Sequence, residues 1–308
     1  MIEPKITKEV QQQLDEIHAN VVKAKKQIKT VWYAVAGLTV VLFALGYFSA
    51  NPFFFFAIFA GLIGGSIAHS HLNSKSNARF KADIITKVIN EDKALGIQYF
   101  YDQSISVAEF EASKIFQRYV DKYSGEDLFV GAWGKTKFKF SEIEAEEKNE
   151  HTDAQGHKST DYETIFEGIM FIAEFHKNLK GITRVIEGKD GFFEKLFAGN
   201  TKVNLENPAF EKIYNTYSDN QVEARYILTP DMMERMLKLR EKFKSKVEFS
   251  FLNNLVFIAI HSNKDKFELD RKKPVDKTQI KRVFAEIDSF IQIIDMLNLN
   301  LHIWGEVE

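Results

Sequence analysis

The sequence predicts an α+β protein in which an N-terminal transmembrane helical hairpin precedes a mixed strand and helix cytoplasmic domain. Three patterns support this prediction. Two uncharged apolar runs, Val31–Ala50 and Pro52–Ala68, follow one another near the N-terminus. Residues 135–147 alternate apolar and charged side chains, which is the period of a β-strand. Apolar residues from Ile280 to Leu297 recur at the spacing of an amphipathic helix.

Each apolar run is long enough to cross a bilayer as a helix. The first has 20 residues and the second has 17, whereas a hydrocarbon core of roughly 30 Å requires about 20. A cleaved signal peptide is disfavoured because about 30 largely polar residues precede the first run. A helical hairpin buried in a soluble core is the remaining alternative.

Basic residues flank both runs, and the turn at Asn51 between the runs has none. Those before the first run are Lys23, Lys25, Lys26 and Lys29, and those after the second are Lys75, Arg79, Lys81 and Lys87. The positive-inside rule therefore predicts a cell (inner) membrane protein with two helices and both termini in the cytoplasm. Because neither run contains a charge, we expect an anchor in the bilayer rather than an ion pathway or pore.

Small residues repeat every four positions in the second run, at Ala57, Gly61 and Gly65. This spacing lets helix backbones approach closely in lipid, so we predict a helix-packing face. Two alternatives stay open. The face packs against the first helix of the same chain, or it mediates self-association.

We predict four segments along the chain. They are an amphipathic N-terminal helix at 1–30, the transmembrane hairpin at 31–70, a helical stalk or linker at 71–104, and an α+β soluble domain at 105–308. Residues 5–30 and the stretch from Ser74 to about Leu95 both show helical apolar spacing, and we expect these two segments to pack as a stalk.

Within the soluble domain, capping and turn signals define the expected elements. A capping box at Ser106–Glu109 opens a helix that extends to Val120. Thr229-Pro230 and Asp276 begin two further helices. The expected strands are a long hairpin at 135–147 and 162–175, single strands at 184–186 and Val222–Leu228, and a hairpin at 247–252 and 255–260 around Asn253-Asn254.

The composition limits the classes of function. A formal net charge of −2 does not favour nucleic acid, whose binding needs a basic surface. The absence of cysteine excludes disulfides, thiol nucleophiles and thiolate zinc sites. The chain has no glycine-rich phosphate loop, and we predict no cofactor, no metal ligand and no catalytic residue.

The densest polar and aromatic stretch is Tyr214–Pro230. If a strand begins near Gln221, then Gln221, Glu223 and Arg225 share one face, with Asp219 just before it. We predict that these four residues bind a ligand or a partner. The alternative is an ion-paired and half-solvated strand face without a binding role.

The run Asn207–Pro230, followed by Met233-Glu-Arg, resembles an uncharacterised bacterial membrane family, catalogued as domain of unknown function thirty-one thirty-seven. The segment Gly131–Glu142, which ends in Phe140-Ser-Glu, is similar to the upstream pattern of that family. The resemblance implies paired membrane helices but no activity and no site residues. Family members are often encoded near LemA-type membrane proteins, which implies such a protein as a partner.

Two functional hypotheses follow. The favoured one is a membrane-anchored protein of unknown function that acts as a cytoplasm-facing interaction or scaffold module, with the lipid bilayer and a LemA-type protein or a second copy as partners. The alternative is a membrane-tethered enzyme or small-ligand sensor that uses the polar face around Asp219, Gln221, Glu223 and Arg225.

Overall fold

The computed structural model describes residues 3–49, 59, 62–66, 70, 78–152, 158–188, 201–263, 266–270 and 273–300. The chain divides into two compact units. The first, here called the sheet unit, contains Asp92–Phe267 and Ala285–Glu308, and the second, the helical unit, contains Glu3–Glu91 and Glu268–Phe284.

The α-helices of the described residues are labelled in chain order. They are α1 Lys8–Ser49, α2 Thr86–Asn90, α3 Val107–Ala112, α4 Pro208–Glu211, α5 Gln221–Ile227, α6 Pro230–Phe243 and α7 Lys277–Met296. A π-helical turn, Phe80–Ile85, leads directly into α2, and a short 3₁₀ turn, Lys93–Leu95, follows it.

The strands of the described residues form one antiparallel sheet in the order β1-β2-β3-β4-β9-β8-β5-β7-β6. Their bounds are β1 Ile97–Phe100, β2 Lys122–Trp133, β3 Thr136–Thr152, β4 Lys158–Glu174, β5 Ile182–Glu187, β6 Thr201–Lys202, β7 Tyr214–Ser218, β8 Val247–Leu252 and β9 Leu255–His261.

In the helical unit, the first half of α1 packs along the turn that leads into α2. The apolar stripe of α1 is buried at Val10, Leu14, Ile17 and Val21, which recur every three or four residues. The π-helical turn and α2 contribute the buried residues Phe80, Ile84, Ile85, Val88 and Ile89. Lys87 of α2 forms an ion pair with Glu9 of α1. The two helical segments therefore pack against each other, while their role as a stalk stays a prediction.

Polar contacts hold Glu268 and Val275 within the same unit. The Lys81 ammonium, whose side chain is only 2% exposed, lies 3.2 Å from the Glu268 carboxylate. The Val275 N–H donates to Nδ1 of His18 at 3.2 Å. Lys81 was counted among the basic flanks of the membrane runs, but it lies inside this unit as half of a buried ion pair.

In the sheet unit, one face of the sheet is built from stacked aromatic rings. The centroid of the Phe140 ring lies 4.6 Å from that of Phe129, 5.9 Å from Phe171 and 5.3 Å from Phe290 of α7. Phe129, Phe140 and Phe171 are cross-strand partners on β2, β3 and β4. Their side chains therefore form a row across three strands, which we call the aromatic face.

The opposite face carries a second hydrophobic core beneath α3 and the segment that follows it. Ile143 and Ala145 of β3 belong to this core, because side chains alternate between faces along a strand. Ile105, Phe110 and Ile115 cover them from the preceding segment. Both faces of the central strands are thus buried.

Several predicted elements are confirmed. The long hairpin is β3 and β4, the strand at 184–186 lies within β5, and the hairpin around Asn253-Asn254 is β8 and β9. Asn253 has a φ of +57°, as a tight hairpin turn requires. Ser106 forms the predicted capping box with Glu109, Thr229 caps α6, and the final helix is α7.

The helix predicted from Ser106 to Val120 is too long, because α3 ends at Ala112. The Ser113 hydroxyl donates to the Phe110 carbonyl at 2.6 Å, and Lys114 takes a φ of +54°. A non-glycine residue in the left-handed region ends an α-helix. The chain then turns, and Ile115 packs into the core below it.

The predicted strand at Val222–Leu228 is wrong, because these residues form α5. The Asn220 side chain accepts a hydrogen bond from the Glu223 N–H at 3.1 Å and caps the helix. Ala224 and Ile227 are buried, while Val222 is 80% exposed. The alternation of Val222, Ala224 and Tyr226 in the sequence therefore has no structural meaning here.

Of the transmembrane hairpin that the sequence predicts, the described residues show one long helix, α1, and not a pair of helices. Most of the second apolar run lies outside the described residues, as do Ala57 and Gly61. Residues 62–66 are described and are helical. A Cβ placed on Gly65 would lie 3.5 Å from the Trp32 ring of α1.

Candidate functional site

The second half of α1 exposes large apolar side chains instead of burying them. The 18-residue window of highest hydropathy, with a mean of 1.9, is only 6% buried. The exposed residues of this half include Leu38, Val40, Val41, Phe43, Leu45, Tyr47 and Phe48. Among the described residues, α1 is the one helix whose length and apolar composition would allow it to cross a membrane. A core helix of a soluble protein would be mostly buried, so that alternative does not fit α1.

The four residues of the predicted polar face are not on a strand. Asp219 precedes the capping residue of α5, and Gln221, Glu223 and Arg225 lie within that helix. On a helix, residues two apart point in different directions, so the shared face that a strand would create does not form. The structure instead sorts the four residues into two pairs.

Asp219 and Glu223 form the first pair, and both contact the chain just before β5. The Asp219 carboxylate accepts the Ile182 N–H at 2.8 Å. The Glu223 carboxylate accepts the N–H groups of Lys180 and Gly181 at 3.0 and 2.8 Å. We call this arrangement the carboxylate clamp. It satisfies three backbone donors that β5 does not pair.

Gly181 lies at the centre of the carboxylate clamp. A Cβ at this position would collide with the Asp219 carboxylate and would lie 3.1 Å from Oε2 of Glu223. Only glycine lets the backbone approach both carboxylates this closely.

Gln221 and Arg225 form the second pair and contact the chain around β6. Arg225 donates to the Gln221 side-chain oxygen at 3.0 Å, and Gln221 donates to the Thr201 hydroxyl at 2.8 Å and the Lys202 carbonyl at 3.1 Å. A weaker hydrogen bond joins Arg225 to the Asn204 carbonyl at 3.4 Å. All four predicted residues therefore bind backbone or side-chain atoms of the chain itself, and ligand binding by them stays a prediction.

A different acidic cluster, which the sequence did not single out, lies on the aromatic side of the sheet. Glu126, Asp127 and Glu142 place carboxylate oxygens within 4.8 Å of one another. Glu126 and Glu142 line a cavity of about 310 Å³, together with Glu144, Glu167 and Lys266. Three carboxylates at this spacing are chemically suited to a hard cation such as Ca²⁺.

The hydrogen bonds of this cluster explain why the carboxylates gather. Asp127 is fully buried with a φ of +60°, at an irregularity in the pairing of β2 with β3. It accepts a hydrogen bond from the buried Tyr99 hydroxyl. Burial first, and then the charge of Asp127, raise the pKa of Tyr99 well above its usual value, so the phenol keeps its proton and donates it. Glu142 accepts the Lys266 N–H.

Sequence reasoning missed the cluster because it depends on strand register. Glu126 and Glu142 are direct cross-strand partners although 16 positions separate them in the chain. The sequence signal was Gly125 inside a strand and directly before two acidic residues, because a glycine in a strand interior often marks a bulge.

Comparison with known proteins supports the family resemblance and little more. Residues 164–299 match the model of a family described as "Protein of unknown function (DUF3137)". This match confirms the resemblance carried by Asn207–Pro230, while Gly131–Glu142 lies outside the matched residues. No curated protein matches the chain.

One solved structure is similar, the crystal structure of the mycobacterial trehalose monomycolate transport factor A, TtfA. It is 11% identical, the alignment covers 67% of this chain and 90% of that chain, and the TM-score is 0.34. A TM-score this low does not establish a shared fold.

Proposed function

We propose that this protein is a membrane-anchored module that holds an α+β domain at the cytoplasmic face of the cell membrane and binds another protein there. The observation that carries the proposal is the second half of α1, whose large apolar side chains are exposed over several helical turns.

The dimensions of α1 fit a bilayer. Residues 31–49 are helical, and at about 1.5 Å per residue they extend over roughly 28 Å, close to the thickness of the hydrocarbon core. Each exposed Val, Leu or Phe would gain about 1.5–3 kcal/mol on leaving water. Contact with lipid explains why these apolar side chains lie on the protein surface, since contact with water would cost free energy.

The charges beside the apolar segment support a cytoplasmic N-terminus. Lys23, Lys25, Lys26 and Lys29 precede it within two turns of the same helix. With a second membrane crossing through Pro52–Ala68, the sheet unit lies on the same side. The Gly65–Trp32 proximity supports packing of the two apolar runs within one chain.

A binding role is favoured over catalysis because the hydrogen bonds of Asp219, Gln221, Glu223 and Arg225 hold segments of the fold together. The carboxylate clamp binds backbone N–H groups, and Gln221 and Arg225 bind the chain around β6. A ligand site at these residues is our second proposal. It predicts that Arg225→Ala abolishes capture of that ligand or partner without unfolding the protein.

For the partner we propose a membrane protein of LemA type or a second copy of this chain. The long β3–β4 ribbon offers the accessible surface. Among the described strands, residues 147–152 pair only with residues 158–163 of β4, because β2 pairs with β3 only as far as Glu146 and β9 pairs with β4 only from Gly168 onwards.

Cysteine accessibility tests the anchor and its orientation. Because the chain has no cysteine, single variants Gln12→Cys and Ser159→Cys carry one thiol each, and both positions are exposed. In spheroplasts of a bacterial host, we expect a membrane-impermeant maleimide to label neither variant until the membrane is permeabilised. Asn51→Cys is the matched control that we expect to be labelled directly. Labelling of Gln12→Cys or Ser159→Cys in sealed spheroplasts would overturn the orientation.

Photo-crosslinking tests the interaction. Tyr119 and Tyr162 are 85% and 50% exposed, so benzoylphenylalanine fits at either position. We expect a discrete crosslinked band from native membranes in the presence of light, identified by mass spectrometry as a membrane protein or a second copy. A monomer with no reproducible adduct at either position would contradict the interaction role while leaving the anchor intact.

A further inference from the structure

We infer that four lysines of α1 form a contact surface for anionic phospholipid headgroups, so that the protein selects acidic membrane surfaces. The lysines are Lys23, Lys25, Lys26 and Lys29, here called the lysine collar. This inference rests on the proposed anchoring of α1 in a bilayer and identifies the lipid class that surrounds the anchor.

The lysine collar occupies the side of α1 that the helical unit leaves open. At about 100° per residue, the four lysines fall within roughly 160° of the helix circumference. The centre of the buried stripe of Val10, Leu14, Ile17 and Val21 lies roughly 120° around the helix from the centre of the collar. All four lysines are exposed. The packing of α1 within its own unit therefore turns the lysine collar outwards.

The axial position of the collar matches the headgroup layer. Lys29 lies two residues before the apolar segment begins at Val31. From Lys23 to Lys29 the helix rises about 9 Å, similar to the roughly 5–8 Å of the polar layer on each side of a bilayer. The Lys29 ammonium lies 5.7 Å from the centre of the Tyr33 ring, and Tyr is a residue of the membrane interface.

The charged residues around the membrane segment are all basic. The chain contains no Asp or Glu between Glu16 and Asp83, although 27% of all residues are charged. The first turns of α1, in contrast, carry Glu9, Asp15 and Glu16. Where the helix meets the bilayer, its sequence therefore supplies positive charge alone, which anionic lipid neutralises.

Trp32 provides a reporter within one turn of the collar. The full chain is reconstituted in phosphatidylcholine vesicles of two kinds. In one, part of the lipid is replaced by phosphatidylglycerol with brominated acyl chains, and in the other by phosphatidylcholine with brominated acyl chains. Bromine quenches nearby tryptophan, and a Trp32→Phe variant gives the background from Trp133 and Trp304. The ratio of Trp32 quenching by brominated phosphatidylglycerol to Trp32 quenching by brominated phosphatidylcholine gives the affinity for phosphatidylglycerol relative to phosphatidylcholine.

For each lipid that contacts one collar lysine we expect a relative affinity of roughly fivefold at low salt, because that factor corresponds to the about 1 kcal/mol that one lysine contributes near an acidic surface. It should fall towards one at 1 M salt, where the Debye length is about 3 Å. The variant with all four collar lysines changed to Gln should show no preference at either salt concentration. A matched variant with Lys158, Lys212, Lys238 and Lys244 changed to Gln removes the same charge from the sheet unit and should retain the preference.

The outcomes separate this inference from the proposed anchor. Strong quenching by both lipids with no preference in the wild type, or a preference that survives the collar substitutions, overturns the inference alone. Absence of quenching by either lipid means that α1 is not in the bilayer, which overturns the anchor as well.

Discussion

Whether a buried polar group of the sheet has a hydrogen-bond partner depends on single side chains. Tyr99 and Tyr214 are both almost fully buried. The Tyr99 hydroxyl donates to Asp127, whereas the Tyr214 hydroxyl has no hydrogen-bond partner among the described residues. Because a buried hydroxyl without a partner costs free energy, the hydroxyl groups of the two tyrosines contribute to stability with opposite sign.

We predict that Tyr99→Phe and Tyr214→Phe have opposite effects. Tyr99→Phe removes the donor of a fully buried carboxylate and should lower the free energy of unfolding by about 1–3 kcal/mol. Tyr214→Phe removes an unpaired hydroxyl and should leave stability unchanged or raise it by about 1 kcal/mol. Thermal unfolding of the full chain in detergent, followed by circular dichroism, measures both. Equal destabilisation by the two substitutions would contradict this account.

The same residues predict an alkaline limit to stability. Burial raises the pKa of Tyr99, Tyr123 and Tyr214 above the usual value of 10.0. In the unfolded chain these phenols ionise near pH 10, while the folded protein keeps their protons. Their contribution to stability is therefore complete below pH 10 and is lost as the pH rises above it.

We expect the melting temperature to fall between pH 9 and pH 11, and to fall less steeply in Tyr214→Phe. Tyr119→Phe changes a tyrosine that is 85% exposed and serves as the control. A Tyr214→Phe variant with the same alkaline slope as the wild type would show that this residue does not contribute.

At the scale of elements, the residues beside each helix and strand decide where it ends. Ser113 and Lys114 end α3 eight residues earlier than apolar spacing predicts. Asn220 starts α5 where alternation predicts a strand. The carboxylate clamp then ties α5 to the beginning of β5, so a helix terminus and a strand terminus depend on each other.

We predict that Gly181→Ala disrupts the carboxylate clamp. The added Cβ collides with the Asp219 carboxylate, and the displaced carboxylates leave backbone N–H groups of Lys180 to Ile182 unpaired. The expected loss is about 1–3 kcal/mol of unfolding free energy. Amide hydrogen exchange should accelerate first at residues 180–182. Gly37→Ala, where a Cβ would meet nothing within 4 Å, is the control; equal effects of the two would refute the clamp.

At the scale of the whole molecule, exposure of apolar residues differs between the two ends of α1. The first half buries its stripe within the helical unit, while the second half exposes its apolar side chains. One continuous helix therefore belongs to two environments. The proposed membrane anchoring and the lysine collar both depend on this change, which occurs between Val21 and Val31.

Two exposed valines test the membrane environment directly. Val40 and Val222 are 69% and 80% exposed, each on a helix, but only Val40 lies in the apolar segment. Lysine at the centre of a membrane helix costs roughly 2.5–3.5 kcal/mol. We expect Val40→Lys to reduce the fraction of protein that resists carbonate extraction and Val222→Lys to leave it unchanged. If both variants stay fully integrated, the segment around Val40 does not lie in lipid.

Local patterns predicted the elements whose ends carry their own signals. Asn253-Asn254, the Ser106 capping box, and Thr229-Pro230 each specify a turn or a helix start through contacts within a few residues. The candidate site was not predictable in this way. Asp219 and Glu223 were named as site residues, but their backbone partners are about 40 positions away, and the acidic cluster depends on the pairing of β2 with β3.

The amino-acid sequence by itself determined that the protein has a long apolar helix near its N-terminus, an amphipathic continuation of that helix, and an α+β remainder. These features depend on periodicity and on short-range caps, both of which can be recognised within a short stretch of the sequence. Only the tertiary structure decided which side of α1 faces outwards, which carboxylates meet, and that Asp219 and Glu223 bind the chain just before β5. Those outcomes depend on side chains from distant parts of the chain, and the free energy of burying or pairing them exceeds the weak local preferences that the sequence displays.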